Sequence, residues 1–120
     1  MSRFLLIRGW IECDFEQVEK IKNINDNFCL QSSKYILSDD LMRLYSKGWH
    51  YPEQPINWIS IISLGLNMNV VALGYIKNMI TNITIKEMVD GYFRIDDDED
   101  GLSLEWIIKN SHLEEKVLSN

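Results

Sequence analysis

Cysteine is scarce in this chain: Cys13 and Cys29 are the only two in 120 residues, and no CxxC pair occurs. Two isolated cysteines cannot build a disulfide framework. Both read as buried, reduced thiols, because Cys13 continues an apolar strand face and Cys29 follows an apolar helix stripe. Proline is equally rare, and both copies, Pro52 and Pro55, fall in one short stretch. Positive charge is also in deficit, with 12 Lys and Arg against 18 Asp and Glu, for a net charge of −6. An acidic surface repels phosphate, which argues against direct nucleic-acid binding and against docking on an anionic membrane.

Long apolar runs are missing too. The stretch before Arg8 is too short for a signal-peptide core, and the stretch from Ile56 to Ile83 is broken by Asn57, Gly65, Asn67, Asn69 and Lys77. The expectation from these features is a cytoplasmic chain that does not span a membrane. Catalytic signatures are absent as well: no GxSxG, Walker A or GxGxxG occurs. The two histidines, His50 and His112, lie far apart and outside any metal-ligand spacing. The expectation is a protein without enzymatic activity, cofactor or resident metal.

What is present is the composition of an ordinary folded protein, 46% hydrophobic and 25% charged. A chain of this length suits one domain, residues 1–120, that buries roughly two-thirds of its unfolded surface. Residues 3–13 alternate, with Leu5, Ile7, Gly9, Ile11 and Cys13 on one face of a strand. Asp14 precedes Gln17 at capping-box spacing, and Phe15, Val18, Ile21, Ile24 and Phe28 form one helix stripe. Ser38-Asp39-Asp40 reads as a turn between two short strands at 35–37 and 41–45, the second of which could instead be a helical turn. Residues 48–55 form a proline-bounded loop in which Trp49, His50 and Tyr51 either anchor a partner or fold back over the sheet edge. A central strand over 57–64 ends at Gly65 and Asn67. A second helix follows, with its stripe at Val70, Leu73, Ile76, Ile80 and Ile83, and Gly74 marking a close approach to the sheet. Two strands then flank an acidic run, and the tail from His112 extends the last strand, pairs at an edge or forms a short helix. The order β-α-β-α-β-β predicts an α+β two-layer sandwich, with a mainly antiparallel sheet of four to six strands and two helices on one face.

The acidic run is Asp96, Asp97, Asp98, Glu99 and Asp100, closed by Gly101. Asp96, Asp98 and Asp100 occupy positions one, three and five of a calcium loop, with glycine at six. Position twelve, which should hold a bidentate Glu, is Ile107, and the flanks read as strands, not helices. The alternatives are a solvated turn and a landing site for a basic partner, whose Arg side chains these carboxylates can meet in place of phosphates. Asp39 and Asp40 form a smaller acidic pair of the same kind.

The strand Ile7-Arg8-Gly9-Trp10-Ile11, the segment from Trp58 to Asn67 and the block Gly91-Tyr92-Phe93-Arg94-Ile95-Asp96-Asp97-Asp98-Glu99 follow one another in a characteristic order. Together with the closing Asn110-Ser111-His112-Leu113-Glu114-Glu115-Lys116, they span nearly the whole chain. In this layout the chain resembles the small α/β immunity proteins of bacterial polymorphic toxin systems, including contact-dependent growth inhibition. It departs from their pattern in its longer acidic run. The resemblance implies an inhibitor that binds the toxic C-terminal domain of a cognate effector, with a nuclease as the expected toxin. The partner-binding candidates are then Asp96, Asp97, Asp98, Glu99 and Asp100, followed by Trp49, His50 and Tyr51, and by Asp39 and Asp40. A non-inhibitory protein-binding adaptor and a weak calcium-binding module are the competing readings.

Overall fold

A computed structural model of the chain describes residues 4–30, 38–97, 99 and 101–119. Alternation in the first segment produces strand β1 (Phe4–Cys13), whose Leu5, Ile7, Ile11 and Cys13 are buried. Helix α1 (Phe15–Leu30) follows at once, and the backbone N–H of Asp14 donates to Gln17 Oε1 at 2.9 Å, one half of the expected capping box.

The next segment differs from the sequence reading. Asp39 and Asp40 do not sit in a turn but open a short helix, α2 (Asp39–Ser46), capped where the Ser38 hydroxyl accepts from the backbone of Leu41 at 3.1 Å. Met42 and Tyr45 are buried on its inner face, so the helical alternative holds for residues 41–45. The proposed strand at 35–37 lies outside the described residues.

Strand β2 (Trp49–His50) pairs with β3 (Ser60–Asn69). The sequence reading places β3 too early. Asn57 Oδ1 accepts from the backbone of Ile59 at 3.1 Å and holds 57–59 outside the ladder. Gly65 and Asn67 do not end the strand, because both face outward opposite Arg8 and Leu6, where a polar or missing side chain breaks no packing. A 3₁₀ turn at Val70–Ala72, capped by the Asn69 side chain at 3.1 Å, leads into α3 (Leu73–Lys86). Gly74 in α3 makes no close approach: it is exposed and a Cβ there would meet nothing within 4 Å. Strands β4 (Asp90–Asp96), β5 (Ser103–Lys109) and β6 (His112–Ser119) complete the chain. Of the three possibilities for the tail, edge pairing is the one adopted, through a two-residue turn with both Asn110 and Ser111 at positive φ.

The result is a six-stranded, fully antiparallel sheet in the order β2-β3-β1-β4-β5-β6, an α+β fold as the element order predicts. The two long helices and α2 are packed together, and one cluster joins Ile21 of α1, Met42 of α2 and Tyr75, Ile76 and Ile80 of α3 to the inward residues of the sheet. Strand β3, placed centrally by the sequence reading, is second from one end; β1 and β4 are the middle pair.

Candidate functional site

The helices leave the outer face of the sheet open. Rows across the strands follow from the register. One row runs His50, Ser63, Trp10, Tyr92, Ile107 and Glu114, and the next runs Gly65, Arg8, Arg94, Glu105 and Lys116. Trp10 and Tyr92 touch, with ring centroids 5.4 Å apart. Trp10 also donates from its indole nitrogen to Glu12 at 3.3 Å, and the Tyr92 hydroxyl donates to Glu105. That second bond raises the Tyr92 pKa, because ionising the phenol beside a carboxylate would set two negative charges together. Phe4, Leu6, Trp10 and Ile61 remain 49%, 46%, 39% and 43% exposed, a large share for side chains of this size.

Phe4 and Leu6, set apart from Trp10 and Ile61 by the row that holds Gly65, Arg8 and Arg94, adjoin the acidic hairpin. Phe4, Leu6 and Asn67 share a cleft of about 220 Å³ with Asp96 and Glu99. The described acids of the run, Asp96, Asp97 and Glu99, are not alike. Asp96 ends β4 on the open face, where Arg8 reaches it at 2.7 Å and Arg94 at 3.2 Å, and the Ser103 hydroxyl donates to it at 2.5 Å. The Ser103 bond, then the two guanidinium groups, hold its carboxyl below the usual carboxylate range. Asp97 is buried, 2% exposed, and its Oδ1 accepts from the backbone of Glu99 at 3.0 Å. Its own N–H donates to the Leu102 carbonyl at 2.8 Å, and its carbonyl accepts from Gly101, whose φ is 68°. Asp97 therefore builds the turn and is not available as a charged contact. Glu99 is exposed, and Asp98 and Asp100 lie outside the described residues. The calcium-loop reading falls partly on those two positions; at its first position, the Asp96 carboxylate is already engaged by two arginines and a serine.

The aromatic loop also differs from a contact surface. Trp49 is 7% exposed and faces the core, stacked at 6.4 Å on Tyr51 and edge-on to Phe93 at 6.3 Å. Tyr51 is half-buried; its hydroxyl accepts from Asn25 at 2.8 Å, and burial pushes its pKa up to about 12. The alternative in which this loop folds back over the sheet edge describes both residues. His50 alone of the three is exposed, on the open face beside Ser63. Asp39 and Asp40 are exposed at the start of α2, with Arg43 3.5 Å from Asp40.

Two features were missed from sequence. The open-face residues Phe4, Leu6 and Trp10 were legible as the second set of an alternating strand, but nothing local says which set remains uncovered. At the opposite end of the sheet from the acidic hairpin, a cleft of about 340 Å³ brings Glu12, Asp14 and Asp90 beside Trp58, Ile59 and Met88. Trp58 and Met88 are 84% and 70% exposed there. These residues come from three separate segments, so no spacing signals them. Among the described residues no group of three or more His, Cys, Asp or Glu is placed to hold a metal ion, and no helix is long and apolar enough to cross a membrane. Compared with protein-family models, curated proteins and solved structures, the chain matches none of them.

Proposed function

We propose that this chain is an immunity protein: a non-enzymatic cytoplasmic inhibitor that binds and neutralises the toxic domain of a cognate bacterial effector. The observation that supports the reading best is the open sheet face, with Trp10 at its centre and Asp96 and Glu99 at its end. Trp, Tyr and Arg are the residue types that dominate protein interfaces, and Trp10, Tyr92, Arg8 and Arg94 adjoin one another here. The four also stand on paired central strands, so little ordering entropy is lost when a partner docks.

A basic toxin surface, such as the cleft of a nuclease, complements the net charge of −6 and the acidic end of the face. Glu99 and its acidic neighbours then act chiefly on the association rate, while the exposed side chains Trp10, Leu6 and Phe4 govern how long the complex lasts.

The test is co-expression with a candidate toxin domain, sought as the variable C-terminal domain of a large secreted protein if the adjacent reading frame encodes one. Wild type restores growth, and Trp10→Ala loses protection while remaining folded by circular dichroism. A partner that is bound with unchanged toxicity favours the adaptor reading. Full protection by a folded double variant, Leu6→Asp with Trp10→Ala, overturns the assignment of the open face.

A further inference from the structure

Strand β6 ends the sheet, and among the described residues no strand pairs with its outer edge. We propose that this edge pairs with β6 of a second copy of the chain, antiparallel about a two-fold axis through Glu115, so that two sheets join into one.

The register within the chain sets the two sides of the strand. Leu113 and Val117 stand opposite Ile108 and Leu104 on the helix side, with Glu115 opposite Trp106. Glu114 and Lys116 stand opposite Ile107 and Glu105 on the open side. In an antiparallel ladder, directly opposed residues share a face. A symmetric join that keeps the helices of both copies on one side must therefore place its axis on a residue, not between two.

Only one such axis matches charge with charge. Centred on Glu115, the ladder sets Glu114 against Lys116 of the second copy, Lys116 against Glu114, and Leu113 against Val117 in both directions. Centred on Glu114, it would set Leu113 against Glu115 and His112 against Lys116. Centred on Lys116, it would set Glu115 against Val117 and Glu114 against Leu118. Val117 is 56% exposed in the single chain, and this ladder gives it an apolar neighbour. A bulge between β5 and β6 at Ser103 and Leu104 sets Leu118 out of step, so the ladder spans residues 113–117.

The axis brings Glu115 against its own copy, which unscreened would be repulsive. Each Glu115 is already neutralised at home. Its Oε1 accepts from the Trp106 indole at 2.9 Å and from Lys77 at 3.2 Å, and Lys77 sits 6.0 Å from the Trp106 ring centroid. Charges in the middle of an edge strand normally deter pairing with any other strand. Here the same charges exclude other registers and admit an identical strand in one. The join lies at the sheet edge, three strands away from Trp10 on β1, so it does not require a partner at that residue.

Sedimentation velocity across a concentration series reaching millimolar decides the matter. Wild type should move from the 14.1 kDa monomer toward twice that mass as concentration rises. Glu114→Lys and Lys116→Glu should each remain monomeric, since each sets like charges together twice. An equimolar mixture of the two restores both ion pairs and should dimerise, as should the double exchange in one chain. Both positions are exposed, so the variants should keep the wild-type far-ultraviolet spectrum. A wild type that stays monomeric throughout, or single variants that dimerise as well as wild type, overturns the proposal. A mixture that fails to form the mixed dimer does the same.

Discussion

Gly9 on β1 stands directly opposite Phe93 on β4, and a Cβ on Gly9 would lie 2.6 Å from both Cα and Cδ1 of Phe93 and 2.1 Å from the carbonyl oxygen of Tyr92. Gly9 belongs to an inward row that reads Trp49, Leu64, Gly9, Phe93 and Trp106. The space its missing side chain leaves lets Phe93 reach both Trp49, at 6.3 Å, and Trp106, at 6.5 Å. Three aromatic rings thus bridge the middle of the sheet over one glycine. Backbone atoms cannot move aside as a side-chain tip can, so Gly9→Ala should destabilise the fold by about 3 kcal/mol, the upper end of overpacking costs. Urea unfolding followed by tryptophan fluorescence checks it. A midpoint unchanged from wild type would show that the sheet yields at this point.

Trp10 occupies the same strand with the opposite orientation, and its effect should be opposite in kind. If the proposed function holds, Trp10→Ala should weaken binding of the toxin domain tenfold or more, the cost of losing a central aromatic anchor, ~1.4 kcal/mol or above. Thermal stability should change little by comparison, because the side chain is 39% exposed and packs mainly on Tyr92. Calorimetric titration beside a thermal melt separates the two effects. Equal losses in both would make Trp10 a packing residue and nothing more.

The acidic hairpin should divide under mutation. Asp97→Ala removes the side-chain acceptor of the Glu99 backbone and should cost about 1–2 kcal/mol of stability, as lost turn and cap bonds do. Glu99→Gln should leave stability within about 0.5 kcal/mol, as surface substitutions do, yet reduce the salt dependence of association with the proposed toxin partner. Stopped-flow association at several ionic strengths reads the second effect. An identical salt slope for Glu99→Gln and wild type would remove Glu99 from the encounter surface.

Stability should fall at both ends of the pH scale. The carboxyl of Asp96 is lowered first by the Ser103 hydroxyl and then by Arg8 and Arg94, and that of Glu115 first by the Trp106 indole and then by Lys77. A lowered folded pKa contributes stability that is fully present above the unfolded value, about 4 for these groups, and is lost as pH falls through the folded value. Asp96→Asn should flatten the acid limb. At the other end, burial lifts Cys13 to about 11 and Tyr51 to about 12. Raised folded values favour the native state until pH climbs past the unfolded values, about 8.5 for the thiol and 10 for the phenol, and that contribution is lost toward the folded ones. The same burial should leave Cys13 unreactive toward thiol reagents at neutral pH until the chain unfolds, which absorbance of a disulfide reagent reports directly. Rapid native labelling at Cys13 would contradict its place in the core.

The local sequence carried the element types well. Alternation in residues 4–13 and the stripes of α1 and α3 are short-range patterns, and each side chain's partner in such a pattern lies within four residues. Boundaries were less legible. Gly65 and Asn67 look like breakers, but they stay in β3 because β1 supplies the ladder beside them and they face outward. For Trp49 the local sequence left two alternatives, a contact anchor or a side chain folded back over the sheet edge, and only the packing against Phe93 at 6.3 Å, on a strand three places away in the sheet, selects the second.

The acidic run marks the same limit. Charge density is written in adjacent residues, and from it alone follow the net acidity and the bias toward basic partners. Its division into a tethered Asp96, a structural Asp97 and an exposed Glu99 depends on Arg8, which is 88 residues from Asp96, and on how the turn closes at Leu102. The sequence by itself determined an acidic α+β chain with alternating strands and amphipathic helices, because those properties are periodic and short-ranged. The tertiary structure decided which face of the sheet stays open, which acids remain exposed and which strand forms the edge, because each depends on strand order, and strand order is set by contacts between residues far apart in the chain.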